Sequence, residues 1–366
     1  MSDQIVPILM PKWGLSMKEG SLSAWHVEQG KEIAQGDEIM DVETDKISNA
    51  VEAADGGLLR RCVAEEGEVY PVGALLGVLA PASVSDAEVD AYVEAFEMPE
   101  IEDEEEVAPS YEFADLPLGR IRYTQRAGEG VPILLIHGFG GDLDNWLFNI
   151  DALGESAGVT ALDLPGHGQS AKSADNASAD KLVEAVVALM DHLDHAKAHL
   201  VGHSMGGFIA GLVADKHSDR VASLTLISSA GLGQEINSDY LDGFVGSASR
   251  RELKPHLKNL FADEGLVSRA MVEDLLKYKR LDGVEAFLNT LKSNLFPGGQ
   301  QGMMISEALG SFQGKTQIVW GEQDAVIPQS HAGAVSGASV TVIPGAGHMV
   351  QMEASTKVND LIKQLI

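Results

Sequence analysis

A run of acid divides this chain. From Asp86 to Glu106 there are eleven Asp or Glu residues and no Lys or Arg, with Pro81, Pro99 and Pro109 punctuating the region. Such a stretch repels itself and offers little apolar surface to bury, so no single core runs through it. At 366 residues, two domains is in any case the expectation. Within the stretch, Val89, Tyr92, Val93 and Phe96 recur at helical spacing and predict a short amphipathic helix. Glu97 to Glu106 is expected to stay extended and mobile. About twenty flexible residues span roughly 25 Å, and more when like charges stretch them. The expected division is a first domain over 1–80, an acidic flexible linker over 81–110 and a second domain over 111–366.

The first part repeats itself at an offset of 37 residues: Gly30, Gly36, Ile39 and Val42 match Gly67, Gly73, Leu76 and Leu79. Short alternating strands between glycine turns, in two copies, predict two small sheets related by a pseudo-two-fold, a flattened all-β barrel. Beyond the linker, apolar strand segments alternate with helix-length segments, the pattern of a parallel sheet covered by helices. The strand candidates are Ile133 to Ile136, Val159 to Leu162, Ala198 to Val201, Leu224 to Ile227, Ile318 to Trp320 and Val340 to Ile343. Function in such a sheet gathers at the carboxyl ends of the strands.

In the first part, Asp41-Val42-Glu43-Thr44-Asp45-Lys46-Ile47-Ser48 sets a lysine in a polar turn between two alternating strands. A turn lysine alone is usually a solvated surface charge. Its surroundings are more specific: Met10-Pro11 with Trp13-Gly14, Glu19-Gly20, Gly30 before the lysine and Gly57 after it. Over residues 4 to 80 this resembles the lipoyl domains of 2-oxo-acid dehydrogenase complexes, whose lipoylated lysine sits in an E-T-D-K-[AI] turn. The resemblance implies lipoate on Lys46. Related biotin carriers flank the lysine with Met, and neither Asp45 nor Ile47 is Met, which favours lipoate. A long arm on a hairpin tip lets one dithiol visit several active sites, at an effective concentration set by the tether.

In the second part, Gly202-His203-Ser204-Met205-Gly206 follows one apolar strand segment and precedes a helical one. That is the context G-x-S-x-G requires: the glycines permit a sharp strand-to-helix turn that lifts the Ser204 hydroxyl out of the sheet, and the Met205 N–H can face a developing oxyanion. His348, in Pro344-Gly345-Ala346-Gly347-His348, is the best candidate base. Asp324, in Trp320-Gly321-Glu322-Gln323-Asp324, is the orienting acid, with Glu322 as its rival, and the chain order Ser, Asp, His fits the pattern. The second oxyanion donor is expected from the Phe139 N–H in His137-Gly138-Phe139-Gly140-Gly141, where His137 reads as a structural residue that holds the loop.

These motifs, together with Asp163-Leu164-Pro165-Gly166-His167-Gly168, resemble the α/β-hydrolase fold family over residues 111 to 366. The resemblance implies a mostly parallel eight-stranded sheet and a helical lid over about 232–300. The fold class expected is therefore multidomain: an all-β lipoyl-type flattened barrel plus an α/β-hydrolase fold with a lid. His192, His195, His199 and His203 mimic a metal-binding spacing. They fall on a helix end, a strand and the serine turn, so they cannot share one face, and no metal is expected.

Charge narrows the partners. A net charge of −29 repels nucleic acid and anionic lipid, no apolar run has the length of a membrane span, and one cysteine, Cys62, excludes an internal disulfide. A cytoplasmic protein is expected. Against this background Arg250 to Lys292 carries nine Lys or Arg and seven acids. Arg250, Arg251 and Lys254 head a set, continuing through Lys258, Lys277, Lys279 and Arg280, that could receive the phosphates of coenzyme A; basic helices are more often solvated faces.

The architecture as a whole resembles the dihydrolipoyllysine-residue acetyltransferase family of bacterial acetoin dehydrogenase complexes. That resemblance implies acyl transfer from the arm on Lys46 to coenzyme A. The implied partners are thiamin-diphosphate-dependent dehydrogenase subunits and dihydrolipoamide dehydrogenase, in a homo-oligomer or multienzyme complex. Two departures from most lipoyl acyltransferases stand out: no Asp-Gly pair has a histidine four residues before it, so their His-x-x-x-Asp-Gly motif is missing, and the linker holds no small basic subunit-binding domain. Two other readings remain open here, a thioesterase or carbon–carbon bond hydrolase with a lipoyl appendage, and a non-catalytic carrier.

Overall fold

The computed structural model describes residues 4–13, 17–44, 48–96, 98 and 111–366. They form two compact units, the second beginning at Ser110. Among the described residues no helix is long and apolar enough to cross a membrane.

The first unit has eight strands: β1 (Val6–Leu9), β2 (Glu19–Trp25), β3 (Glu32–Ile33), β4 (Glu38–Glu43), β5 (Ser48–Glu52), β6 (Gly57–Cys62), β7 (Val69–Pro71) and β8 (Leu75–Leu79). They build two four-stranded antiparallel sheets, ordered β1-β8-β6-β3 and β5-β4-β2-β7. The 37-residue repeat accounts for this order: it carries β2, β3 and β4 onto β6, β7 and β8, and each half sends its shortest strand into the other half's sheet. Gly30 and Gly67 turn at φ +92° and +85°, and Gly36 and Gly73 at +88° and +80°, so equivalent turns repeat in both halves. Leu22, Ile39, Met40 and Val42 share one core with Leu59, Leu76 and Leu79. The β4–β5 register runs to Glu43 opposite Ser48. Lys46, between them, lies outside the described residues.

The acidic stretch expected as linker from 81 begins instead with an ordered helix, α1 (Asp86–Glu94), opened by a capping box between Ser85 and Glu88. The spacing seen in sequence is the packing face: Val89, Tyr92, Val93 and Phe96 cover Ile5, Leu75, Val78 and Ala80. Cations absent from the stretch itself come from β6. Arg60 donates to Asp86 and to the Pro81 and Val84 carbonyls, and Arg61 donates to Asp90 at 2.8 Å. The helix is therefore part of the first unit.

The second unit is an eight-stranded sheet: β9 (Glu112–Leu116), β10 (Gly119–Arg126), β11 (Ile133–Ile136), β12 (Val159–Leu162), β13 (Ala198–His203), β14 (Val221–Ile227), β15 (Lys315–Gly321) and β16 (Ser339–Ile343). Its order is β16-β15-β14-β13-β11-β12-β10-β9, parallel throughout except that β10 pairs antiparallel with β12 and β9. Alternate strand residues serve opposite faces. Ile133, Leu135, Val159, Ala161, Val201 and Val319 pack with α2 (Ile150–Gly154), α10 (Val350–Glu353) and α11 (Ser355–Leu365). Across the sheet lie α3 (Ala179–His192) and α4 (Met205–Lys216), with α9 (Ser306–Ser311) against α4. Nearly every residue of α4 is buried, as a helix at the centre of the molecule must be. Between β14 and α9 the chain leaves the sheet to form α5 (Ser238–Gly246), α6 (Arg250–Leu257), α7 (Arg269–Lys279) and α8 (Val284–Leu295). They occupy the lid segment expected from sequence.

Candidate active site

Ser204 stands between the end of β13 and the start of α4 with φ +54° and ψ −119°, a conformation unfavourable for any residue with a Cβ. Close packing enforces it. A Cβ on Gly202 would lie 2.3 Å from the Gly206 carbonyl oxygen, and one on Gly206 would lie 2.1 Å from that of Ile136. The Ser204 N–H donates to the Ile227 carbonyl at 2.9 Å and the Ala230 N–H to the Ser204 carbonyl at 3.0 Å, which pins the turn to the end of β14. The serine itself is half-buried.

The loop after β11 reaches the same point. A Cβ on Gly138 would sit 3.1 Å from the Ser204 Cβ, so the peptide leading to Phe139 lies beside the serine. Among the described residues no acceptor takes the N–H of Phe139 or that of Met205, the first residue of α4. His137 supports the loop, as its structural reading required: Nδ1 donates to the Gly138 carbonyl at 2.8 Å and Nε2 accepts from Leu164 N–H at 3.0 Å. Burial lowers its pKa to about 4 and keeps it neutral.

His348, almost wholly buried, directs Nδ1 at Asp324 Oδ2, 2.8 Å away. Oδ1 of Asp324 accepts from the Val326 and Ile327 N–H groups at 2.8 and 2.9 Å. Burial pulls the Asp324 pKa upward, but His348 and those two N–H groups outweigh it and hold the carboxyl below its usual value. The carboxylate fixes the tautomer, with the proton on Nδ1 and the lone pair on Nε2. The rival Glu322 is exposed. The Ser204 hydroxyl makes no hydrogen bond among the described residues. Its link to the base runs through the neighbouring residue: His203 Nε2 donates to the His348 carbonyl at 2.9 Å, and the two rings lie 4.8 Å apart. Burial and the adjacent His348 lower the His203 pKa to about 3, so it too is neutral.

Several contacts that shape the site were not legible in the sequence, even where their residues lie in a motif. Asp163, fully buried, accepts from Arg122 Nε and Nη2, from Leu143 N–H at 2.9 Å and from Gln169 N–H at 2.7 Å, tying the Phe139 loop to the loop after β12. The lid closes over Phe139 with aromatic rings: Phe244 and Phe296 lie 6.1 and 6.2 Å from it. His167, its pKa lowered to about 3 by burial and by His137, lies between His137 and Phe287.

The basic set divides. Arg250 and Arg251 are exposed and Lys254 is half-buried, all on α6 and without an ion-pair partner among the described residues. Lys258 pairs with Glu264, Lys277 with Asp274, and Lys279 donates to the Phe244 and Ser247 carbonyls, so those three are already engaged. Of the four histidines, His192 ends α3, His195 lies in the following loop, and His199 and His203 belong to β13.

Fold and site define an α/β-hydrolase-type enzyme joined to a biotinyl/lipoyl-type carrier domain. Residues 131–355 match the family described as alpha/beta hydrolase fold, and residues 6–79 match the family described as biotin-requiring enzyme. The dihydrolipoyllysine-residue acetyltransferase component of the acetoin cleaving system of Cupriavidus necator is 52% identical over 100% of this chain and 98% of its own. Its counterpart in Pseudomonas putida is 50% identical over 97% of each. Among solved structures, a meta-cleavage product hydrolase from Pseudomonas fluorescens is 27% identical with a TM-score of 0.62, over 69% of this chain and 96% of its own. The chain belongs to the dihydrolipoyllysine-residue acetyltransferase components of acetoin cleaving systems.

Proposed function

We propose that this chain passes an acetyl group from a lipoyl arm on Lys46 to coenzyme A through an acetyl-Ser204 intermediate. One observation carries the reading: the His348–Asp324 pair, tied to the serine turn by the His203–His348 hydrogen bond, stands with two backbone N–H groups that have no acceptor among the described residues at the strained turn that presents Ser204. The first unit fits a lipoyl arm, since paired strands end at Glu43 and Ser48, on either side of Lys46.

When bound, the lipoyl group supplies a thioester on a long arm that a tethered domain can carry between sites. The chain's own residues do the rest. His348 Nε2 takes the Ser204 proton as Oγ bonds to the thioester carbonyl, and the N–H groups of Phe139 and Met205 receive the charge on its oxygen. The carbon–sulfur bond breaks, and His348 returns the proton to the departing sulfur. His348 next takes the proton of the coenzyme A thiol, whose sulfur attacks the acetyl carbon. The bond to Oγ breaks and the proton goes back to Ser204. Asp324 holds the ring and balances its transient charge.

Arg250, Arg251 and Lys254, the cations of α6 that form no ion pair among the described residues, suit the phosphates of coenzyme A. The carrier runs through Phe96 with its helix, and the transferase occupies 111–366 with its lid at about 232–300. The arm would be charged by thiamin-diphosphate-dependent dehydrogenase subunits and reoxidised by dihydrolipoamide dehydrogenase, in a cytoplasmic complex.

The test acetylates the dihydrolipoyl arm of the full chain and follows acetyl-CoA and acetate, with and without coenzyme A, in wild type and Ser204→Ala. Acetyl-CoA that disappears in the variant supports the reading. The likeness of the second unit to hydrolases favours water as the alternative acceptor, and acetate formed whether or not coenzyme A is present would establish it instead.

A further inference from the structure

His348 is flanked by two peptide N–H groups, and both lead to the lid. Met349 N–H donates to the Leu260 carbonyl at 2.9 Å. Gly347 N–H donates to Glu353 Oε2 at 2.8 Å, and the other oxygen of that carboxylate, Oε1, accepts from Ala262 N–H at 2.7 Å. Leu260 to Ala262 belongs to the lid connection between α6 and α7, and Glu353 closes α10 directly after the histidine loop. The two segments touch backbone to backbone: a Cβ on Gly347 would lie 2.6 Å from Ala262 N and 2.8 Å from the Phe261 carbonyl carbon. Burial raises the Glu353 pKa, and the N–H groups it accepts from oppose that rise. A half-buried carboxylate that makes no contact with the reacting atoms, yet joins two segments 91 residues apart, needs a reason to be there.

We propose that Glu353 is a positioning residue that couples the lid to the general base, holding the Gly347 N–H of the histidine loop and the Ala262 N–H of the lid segment on one carboxylate. His348 is then aimed at Ser204 only while the lid is seated. The inference rests on the acyl-serine route above and says how that route spares its intermediate. Ser204 must exchange one arm for another between its two half-reactions, and water can enter during that exchange. A base that slackens when the lid lifts cannot activate the water, so acetyl-Ser204 survives until coenzyme A is bound and the lid has closed again.

Two substitutions cut the same link from opposite ends. Glu353→Gln keeps the shape but turns an NH2 toward one of the two donors. Ala262→Pro removes the lid-side N–H, and Phe261 before it, at φ −122° and ψ 144°, already has the backbone a residue before proline prefers. Each is expected to lower kcat for acetyl transfer by about 10- to 100-fold, the range for misplaced catalytic groups and lost outer supports. Neither should shift the KM for coenzyme A. Both should raise the share of acetate among the products and slow fluorophosphonate labelling of Ser204. The double variant should be no worse than the poorer single one. Multiplied effects, or Ala262→Pro with wild-type kcat and wild-type acetate share, would overturn the coupling.

Hydrogen exchange on the wild-type chain gives a second measure that needs no variant. The Ala262, Gly347 and Met349 amides should open at one common rate, and independent rates would refute the clasp even if both variants unfold. Should wild type itself make no acetyl-CoA, the acetyltransfer reading falls while the labelling and exchange rates still decide the role of Glu353.

Discussion

Ser204 occupies a backbone conformation that only glycine adopts without strain, with φ +54° and ψ −119°. Strain of this kind costs of order 1–3 kcal/mol. Replacing Ser204 with glycine releases it, while the added freedom of glycine in the unfolded chain takes back about 0.5–1 kcal/mol. Replacing it with alanine removes the same hydroxyl but keeps the Cβ and the strain. The difference between the two variants therefore isolates the backbone: Ser204→Gly should be more stable than Ser204→Ala by about 1 kcal/mol. For a unit of this size that corresponds to roughly 2–4 °C in Tm. Calorimetry of the full chain, read on the transition of the second unit, measures it, and both variants should be inactive. Ser204→Ala melting at or above Ser204→Gly would show that the turn stores no strain and that tight packing by Gly202 and Gly206 alone shapes it.

Other outcomes follow from the same site. Asp163→Asn leaves the buried Arg122 without its counter-charge and should cost about 3–5 kcal/mol, visible as a lower denaturation midpoint of the second unit; a loss below 1 kcal/mol would mean that Asp144, 3.9 Å from Arg122, takes over. Stability should fall in mild acid. His137, His167 and His203 have folded pKa values of about 4, 3 and 3, below the ordinary 6.5, so unfolding takes up their protons as pH drops beneath 6.5. Asp142 offsets one of the three, because burial and the Asp144 and Asp163 carboxylates raise its pKa to about 8 and keep it protonated in the fold. Between one and two protons then remain, a slope of about 2 kcal/mol per pH unit between pH 6 and 5, and a flat stability over that interval would refute neutral burial of the histidines. Charge reversal at Arg250 and Arg251 should raise the KM for coenzyme A several-fold with kcat unchanged, whereas an unchanged KM removes both residues from its binding.

Much of this was legible in the sequence because it is written locally. Glycine spacing and the strand-turn-helix context mark Ser204 within five residues, and the 37-residue offset gives the two sheets. The helix over Asp86–Glu94 shows in the spacing of Val89, Tyr92, Val93 and Phe96, but its docking does not, because the cations that accept it stand on another strand. The edge strand β9 and its neighbour β10 were not placed from sequence. Glu112 to Arg126 alternates polar and apolar residues without the continuous apolar run of a central strand. The supports of the site are the least readable. Asp163 meets Arg122 across 41 residues, His203 meets the His348 carbonyl across 145, and Glu353 meets Ala262 across 91, with no motif between the partners. Lys279 looked like any other lid cation, and only its two carbonyl partners remove it from the phosphate-binding set.

The exchange of β3 and β7 between the halves of the first unit bears on how the protein matures at the ribosome. The sheet that contains β4 and β5, the strands on either side of Lys46, takes its outer strand from Val69–Pro71. Neither sheet is complete until almost the whole unit has emerged, so a nascent chain halted midway offers a modifying enzyme an open edge rather than a finished scaffold. If Lys46 carries the arm as proposed, its attachment is expected to follow completion of this fold, and lipoylation of a chain truncated before Val69 would refute that order.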